Sequence, residues 1–208
     1  MTSVDAAVFV VDDDPLICDS LEQLIKSVGL KAYTFSSAQE FLEKDLPDEP
    51  GCLILDIRMP RLSGLDLQDE LAKKGLTIPV IFITGHGTVP LSVRAMKAGA
   101  VDFIQKPFED QQLLDAIHQA IDKDTQTRRQ KAEISEIKRR IESLTPREYE
   151  VLLAVTAGML NKQIAYDLKL SDNTVKTHRA HIMQKMKVES LADLVRLTER
   201  LGISTDKG

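Results

Sequence analysis

The chain has 208 residues, a net charge of −5, 43% hydrophobic and 28% charged residues, the proportions of a folded chain with room for two small domains. Its apolar runs are strand-length, which excludes a membrane helix, and its two cysteines, Cys18 and Cys52, are too few for a disulfide framework or a thiolate metal centre. Residues 1–124 hold 11 Lys/Arg against 21 Asp/Glu, whereas residues 125–208 hold 16 against 11, so the first part suits a cation and the second a polyanion.

Residues 1–5 carry neither a basic region nor a hydrophobic run, so no secretory signal is expected and a cytoplasmic setting follows. Ala7–Val11 is a short apolar run ending in Asp12-Asp13-Asp14. Leu16, Ile17, Leu21, Leu24, Ile25 and Val28 then recur at helical spacing up to Gly29. Lys31–Phe35 reads as a second strand, Ser36-Ser37 as a helix start, and Pro47–Pro50 as a break. Leu53–Asp56 is a third strand that runs directly into a carboxylate, and Ser63-Gly64 opens a loop into a helix carrying Leu65, Leu67 and Leu71. Pro79–Thr84 is a fourth strand, followed by the loop Gly85-His86-Gly87 and by a helix with Pro90 in its first turn. Val101–Ile104 is a fifth strand, Lys106-Pro107 follows, and Leu113, Leu114, Ile117 and Ile121 mark one more amphipathic helix. Alternating strands and helices predict a parallel sheet covered on both faces.

From Asp122 to Arg140 there is no Gly or Pro, and Ile134, Ile137, Ile141 and Leu144 form a narrow apolar stripe. This predicts a helical connector, paired as a short coiled coil or docked on a neighbouring domain. Thr145-Pro146-Arg147-Glu148 has capping-box spacing. Asn161 is expected to cap a short helix over Lys162–Leu168, and Ser171-Asp172-Asn173 a third over Thr174–Met186. Leu191, Leu194, Val195 and Leu197 mark a fourth.

Asp12, Asp13, Asp56, Thr84 and Lys106 all fall at the carboxyl ends of predicted strands, where a parallel α/β sheet binds its ligands. Clustered carboxylates call for a cation, and hard oxygen ligands with water available suit Mg²⁺. With Lys106 as a fixed positive charge and Thr84 as a hydroxyl donor, the set can accept a phosphoryl group, Asp56 attacking in line. Lys169–Asp172 is a helix-turn-helix turn, and the helix after it carries Lys176, His178, Arg179, His181 and Lys185, with Val175, Ile182 and Met186 as its apolar stripe.

Through Val10-Val11-Asp12-Asp13-Asp14, Asp56-Ile57-Arg58-Met59-Pro60, Thr84-Gly85-His86-Gly87 and Lys106-Pro107-Phe108, residues 6–121 resemble the receiver domain of two-component response regulators, nearest the FixJ type. The resemblance implies a flavodoxin-like fold of strand order 2-1-3-4-5. It implies phosphorylation of Asp56 by a sensor histidine kinase, with Thr84 and Lys106 binding the phosphoryl group. Mg²⁺, or Mn²⁺ in its place, would be held by Asp13, Asp56 and the Arg58 backbone carbonyl, with Asp12 acting through water. It further implies a cis Lys106–Pro107 bond and a switch pair of Thr84 and Phe103, although Phe103 also reads as an ordinary core aromatic. Arg58 and His86 flank the site and are expected to tune water access to the acyl phosphate. A haloacid-dehalogenase-type phosphatase needs an acid two residues after its nucleophilic Asp, and Arg58 stands there instead.

Through Leu144-Thr145-Pro146-Arg147-Glu148, Asn161-Lys162-Gln163-Ile164-Ala165, Thr174-Val175-Lys176-Thr177-His178 and Ser190-Leu191-Ala192-Asp193-Leu194-Val195, residues 144–201 resemble the LuxR/NarL-type four-helix DNA-binding domain. The resemblance places Lys176 and Thr177 at double-stranded DNA, on base edges or phosphates. Thr174, His178, Arg179 and Lys185 are further candidates, and Ala180 stands where many members carry a basic residue. The expectation is a receiver at 1–122, a helical linker at 123–143 and an all-α helix-turn-helix domain at 144–208. Such a chain is a transcriptional regulator rather than an enzyme, forming a homodimer on phosphorylation, contacting RNA polymerase and activating transcription.

Overall fold

The computed structural model describes residues 6–85 and 87–203. Five strands, β1 (Ala7–Val11), β2 (Lys31–Phe35), β3 (Gly51–Asp56), β4 (Val80–Thr84) and β5 (Asp102–Gln105), form one sheet of order β2-β1-β3-β4-β5, with every pairing parallel. The helices between them are α1 (Pro15–Ser27), α2 (Ala38–Glu43), α3 (Gly64–Lys73) and α4 (Val89–Lys97), and α5 (Asp110–Glu142) follows the sheet.

Strand alternation divides the core in two. Phe9, Val11, Leu53, Leu55 and Phe82 face Phe41 of α2, Leu67 and Leu71 of α3 and Ala95 of α4. Val8, Val10, Cys52, Ile54, Ile81, Ile83 and Ile104 face Leu21 and Ile25 of α1 and Leu113, Ile117 and Ile121 of α5. With both faces covered, β1, β3 and β4 are buried along their whole length, which is why they read as unbroken apolar runs.

The expected strand and helix positions hold to within one or two residues. β5 lies one residue later than the apolar run suggests, because its ends are set by pairing, Ile81 opposite Asp102 through Thr84 opposite Gln105. The larger difference concerns the connector, which has no separate start: α5 is continuous from Asp110 to Glu142. The segment lacks Gly and Pro, and Arg128–Asp124 (2.7 Å), Arg140–Glu136 (3.1 Å) and Arg129–Glu133 (3.4 Å) support it at i, i+4 spacing.

The chain divides into two compact units, Met1–Arg128 and Arg129–Gly208. In the second, α6 (Pro146–Thr156), α7 (Asn161–Asp167), α8 (Asp172–Met186) and α9 (Leu191–Glu199) enclose Val151, Leu152, Val155, Ile164, Val175, Ile182, Met186 and Leu194. Ile137 of the connector is buried in this same core and Ile141 packs against it, so the stripe is part of the helical unit. Thr145 and Glu148 form the expected capping box, and Ser171 and Ser190 cap α8 and α9. Asn161, expected as a cap, is instead the first residue of α7. Leu160 precedes it, its N–H bonded to Gln163 Oε1 at 2.8 Å, and the Asn161 amide is engaged elsewhere.

Gly64 fixes how α3 meets β3. A Cβ there would lie 2.2 Å from the Asp56 carbonyl oxygen, and the Gly64 N–H already bonds the Ile57 carbonyl at 3.1 Å. Gly64→Ala is therefore expected to destabilise the first unit by about 2–3 kcal/mol, the cost of overpacking against fixed backbone, read as a lower urea midpoint of its unfolding.

Candidate functional site

The register assembles the first site. Val11 lies opposite Leu55, so the next residues, Asp12 and Asp56, are neighbours at the carboxyl edge. Asp56 lies opposite Ile83, and Thr84 opposite Gln105, so Thr84 and Lys106 follow on the adjoining strands. Lys106 is joined to this edge by its N–H, which bonds the Thr84 carbonyl at 2.9 Å.

Asp12 and Asp56 are both buried. The Lys106 ammonium reaches Asp12 Oδ2 at 2.8 Å and Asp56 Oδ1 at 3.4 Å. The second oxygen of each carboxylate meets the backbone: Asp14 N–H bonds Asp12 Oδ1 at 2.9 Å, and Arg58 N–H bonds Asp56 Oδ2 at 2.6 Å. Burial pushes the Asp56 carboxyl above its ordinary range; Lys106 and the Arg58 N–H pull it down, and Asp12 adds to the rise. Burial opposes the charge on Lys106, but Asp12 and Asp56 outweigh it and hold the ammonium above its usual value. Two buried carboxylates against one ammonium leave negative charge in excess when both are ionised.

The three aspartates of the acidic loop separate in role. Asp12 joins the cluster, Asp13 is exposed, and Asp14 caps α1 by accepting from Leu16 N–H at 2.9 Å. Thr84 is buried at the strand end, the Arg58 side chain is exposed, and the Lys106–Pro107 bond is cis. Phe103 is half-buried and packs against the face that holds Leu55 and Phe82. A Cβ on Gly87 would lie 3.1 Å from the Phe103 ring, so the loop after Thr84 rests on that ring. His86 lies outside the described residues.

Residue by residue, the oxygen set suits a divalent cation that keeps most of its water. Among the described residues no three His, Cys, Asp or Glu side chains close a metal cage, whereas Mg²⁺ needs only one or two carboxylates. The excess charge beside Asp56 supplies the attraction.

Three contributors were not apparent from strand-end chemistry. Gly64 lets the Asp56 backbone seat against α3, and Gly87 lets the loop reach Phe103. Cys18 lies beneath the acidic loop, its thiol directed at the Asp12 carbonyl at 3.4 Å. A Ser-Gly pair before a helical pattern is the only sequence signal for the first, the Gly85-His86-Gly87 run marks the second as a loop without its contact, and nothing marks the third.

In the helical unit the structure separates the basic candidates. Lys176 and Thr177 are exposed near the start of α8; Lys176 pairs with Asp172 at 2.8 Å, and Thr177 bonds back to the Asn173 carbonyl. Thr174 sits at the cap, 2.8 Å from the Ser171 hydroxyl. His178 is half-buried, with its Nδ1 enclosed and unpaired. Arg179 crosses to α7 and bonds Asn161 Oδ1 at 2.7 Å. Lys185 bonds Glu148 Oε2 at 2.6 Å and the Ser143 carbonyl at 3.2 Å.

Glu148 is thus a buried hub. It accepts from Thr145 N–H at 2.8 Å and from Lys185, and His181 Nδ1 lies 3.6 Å away. Burial works against its charge, but Lys185 and the Thr145 donors prevail and hold its carboxyl down at about 2.

Comparison with known proteins matches residues 8–118 to the response regulator receiver domain and residues 142–198 to the luxR family of bacterial regulatory proteins. Nodulation protein W of Bradyrhizobium diazoefficiens is 50% identical over 204 residues, which are 98% of this chain and 90% of that protein. The transcriptional regulatory protein FixJ of Azorhizobium caulinodans is 43% identical over 197 residues, 95% of this chain and 93% of that one. Among solved structures, the response regulator StyR superposes with a TM-score of 0.87 at 46% identity, covering 94% of this chain and 99% of that one.

The Glu148 hub has a measurable pH signature. Its folded value of about 2 lies below the ordinary 4.5, so its contribution is complete above about pH 4.5 and is lost as pH falls toward 2. The thermal midpoint of the helical unit is expected to fall across that window. Glu148→Gln should flatten the fall and cost about 1–3 kcal/mol at neutral pH through the unpaired Lys185.

Proposed function

The chain belongs to the response regulators that join a receiver domain to a luxR-family DNA-binding domain, and on that premise we propose that Asp56 is the residue whose phosphorylation controls its binding to DNA. The observation that carries this reading is the shared ammonium. Lys106 spans Asp12 and Asp56, and Asp56 stands at the open end of β3. Asp56 attacks the phosphorus of a phosphohistidine on a sensor kinase, the P–N bond breaks, and the histidine nitrogen takes up the electron pair and a proton. Lys106 and the Thr84 hydroxyl then stabilise charge on the transferred oxygens. Mg²⁺, supported by Asp13, Asp56 and the Arg58 carbonyl, would neutralise charge on the phosphoryl group and the carboxylates. Asp12, already bound to Lys106, contributes through water. The receiver thus assists its own phosphorylation and slow dephosphorylation without acting as a turnover enzyme.

Thr84 is the natural sensor of the phosphoryl group, and Phe103 the natural follower, because Gly87 ties the loop after Thr84 to that ring. A threonine drawn toward Asp56 gives the ring room to turn inward, biasing a two-state receiver. The readout is pairing of two receivers through α4 and β5. Val93 and Met96 expose apolar surface on α4, at 45% and 46%, as a pairing face requires. Pairing brings two α8 helices to DNA half-sites. Lys176 and Thr177 make the leading contacts and Thr174 sets the helix start, Arg179 and Lys185 act by holding α8 in place, and His178 stays a candidate contact. Contact with RNA polymerase and activation of transcription complete the reading, in a cytoplasmic setting. Among the described residues no helix is long and apolar enough to cross a membrane. The reading takes 1–122 as receiver, 123–143 as linker and 144–208 as DNA-binding domain, while the compact units divide between Arg128 and Arg129 and Ile137 is buried in the helical core.

Two experiments test this. With acetyl phosphate and Mg²⁺, the native chain is expected to gain about tenfold in operator affinity, and Asp56→Asn to gain nothing; an Asp56→Asn chain that still responds sinks the proposal. In the same samples, Mg²⁺ alone should raise the receiver's melting midpoint by about 2–4 °C in the native chain and less in Asp56→Asn. Separately, Val93→Glu with Met96→Lys is expected to abolish donor-dependent dimers in sedimentation while leaving Asp56 phosphorylation, read on a phosphate-affinity gel, unchanged.

A further inference from the structure

The two ends of α8 have different duties. Lys176 and Thr177 lie exposed near its start, while its carboxyl end is fastened to the connector. α8 ends at Met186, and Lys187 after it lies in the left-handed region at φ 54°, where glycine is the usual residue because a Cβ is crowded there. The turn closes on the Gln184 and Met183 carbonyls, which accept from Lys187 N–H at 3.2 Å and Val188 N–H at 3.1 Å. The Met186 carbonyl is taken by a side chain of α5: Arg140 Nη1 donates to it at 3.0 Å. Glu136, one turn earlier on α5, accepts from Arg140 Nε at 3.1 Å and steadies the guanidinium. The Arg140 side chain is 24% exposed, so both bonds are shielded in part from water. Its neighbours grip the same end of the unit. Ser143 accepts from Lys185 at 3.2 Å, and Ile137 is buried in the helical core. All of these residues belong to the second unit.

We propose that Arg140 is a positioning residue for DNA binding: without touching DNA, its guanidinium fixes the carboxyl end of α8 and through it the attitude of the residues at the helix start. A guanidinium suits the end of a helix, where the last carbonyl oxygens carry excess negative charge, and its planar fork serves two acceptors at once. Lys176 precedes Met186 by about 15 Å along the axis, so a tilt of about 5° at a released end displaces the two ends relative to each other by about 1 Å. That is enough to spoil a hydrogen bond to a base edge, whereas a diffuse attraction to phosphates tolerates it. Val175, Ile182 and Met186 keep the helix packed, so the loss falls on alignment rather than on folding. This role rests on α8 being the DNA-contacting helix and does not depend on Asp56.

The probes are a duplex of about 30 bp, room for two half-sites, selected by the native full-length chain from a random pool, and a scrambled duplex of the same composition. Affinities are read by fluorescence anisotropy, with acetyl phosphate and Mg²⁺ present throughout. Arg140→Met, which keeps the methylenes and loses the fork, is expected to weaken binding to the selected duplex about fivefold and to leave the scrambled duplex unchanged. Arg140→Lys, which keeps one charged donor, should limit the loss to about twofold. Equal losses on both duplexes would make Arg140 a phosphate contact and overturn the proposal. So would a lower melting midpoint with both affinities unchanged, the mark of a bond that serves stability alone. Lys176→Ala tests the reading of α8 and should weaken the selected duplex about fivefold or more. Without that loss α8 is not the contacting helix, and the role of Arg140 falls with it; a loss in Lys176→Ala but not in Arg140→Met overturns Arg140 and spares the reading. If Arg140→Met does not fold, Glu136→Gln decides: about a twofold loss confined to the selected duplex supports the proposal, and no change overturns it.

Discussion

One ammonium serves two buried carboxylates, and the first unit is arranged around that imbalance. Lys106 lies 2.8 Å from Asp12 and 3.4 Å from Asp56, and the backbone donors at Asp14 and Arg58 supply only partial charges. In water the repulsion would be slight, but at a half-enclosed sheet edge it is not. A cation beside the carboxylates would relieve the excess, which a site with one fewer carboxylate would not carry. Thr84 at the end of β4 and the loop resting on Phe103 border this charge.

The helical unit solves a different electrostatic problem. It has a positive excess, yet much of its basic surface is committed to its own fold. Lys185 is bound to Glu148 and the Ser143 carbonyl, and Arg179 to Asn161. Arg147 reaches the Leu168 carbonyl, joining α6 to the turn before α8. The first two tie α8 to α6, to Ser143 and to α7, while Lys176 and Thr177 at its start stay exposed. Positive charge here positions the helix as much as it attracts DNA.

Much of this architecture was legible in the residues. Apolar runs located β1 and β2 to the residue, because both are bounded by polar or glycine-bearing loops. The convergence of Asp12, Asp56, Thr84 and Lys106 followed from strand ends and a parallel topology. What could not be read were decisions made by long-range contact. Asn161 has the chemistry of a cap, but Gln163 meets the preceding N–H and Arg179 claims the Asn161 amide across the turn. Lys185 and His178 lie on a basic helix whose inward side is visible only once α6 is packed against it. The connector's stripe was ambiguous for the same reason: Ile137 finds its neighbours in the helical core.

The paired register of β1, β3 and β4 also governs which changes of length the chain can absorb. Removing one residue within β3 would exchange the two core faces along that strand and carry Asp56 away from both Asp12 and the Thr84 strand. The segment between α2 and β3, by contrast, meets no such parity rule up to the point where Pro50 and Gly51 rejoin β1. Insertions and deletions should therefore accumulate there and be excluded from the strands. Strand length is as much a part of this carboxylate edge as the side chains that line it.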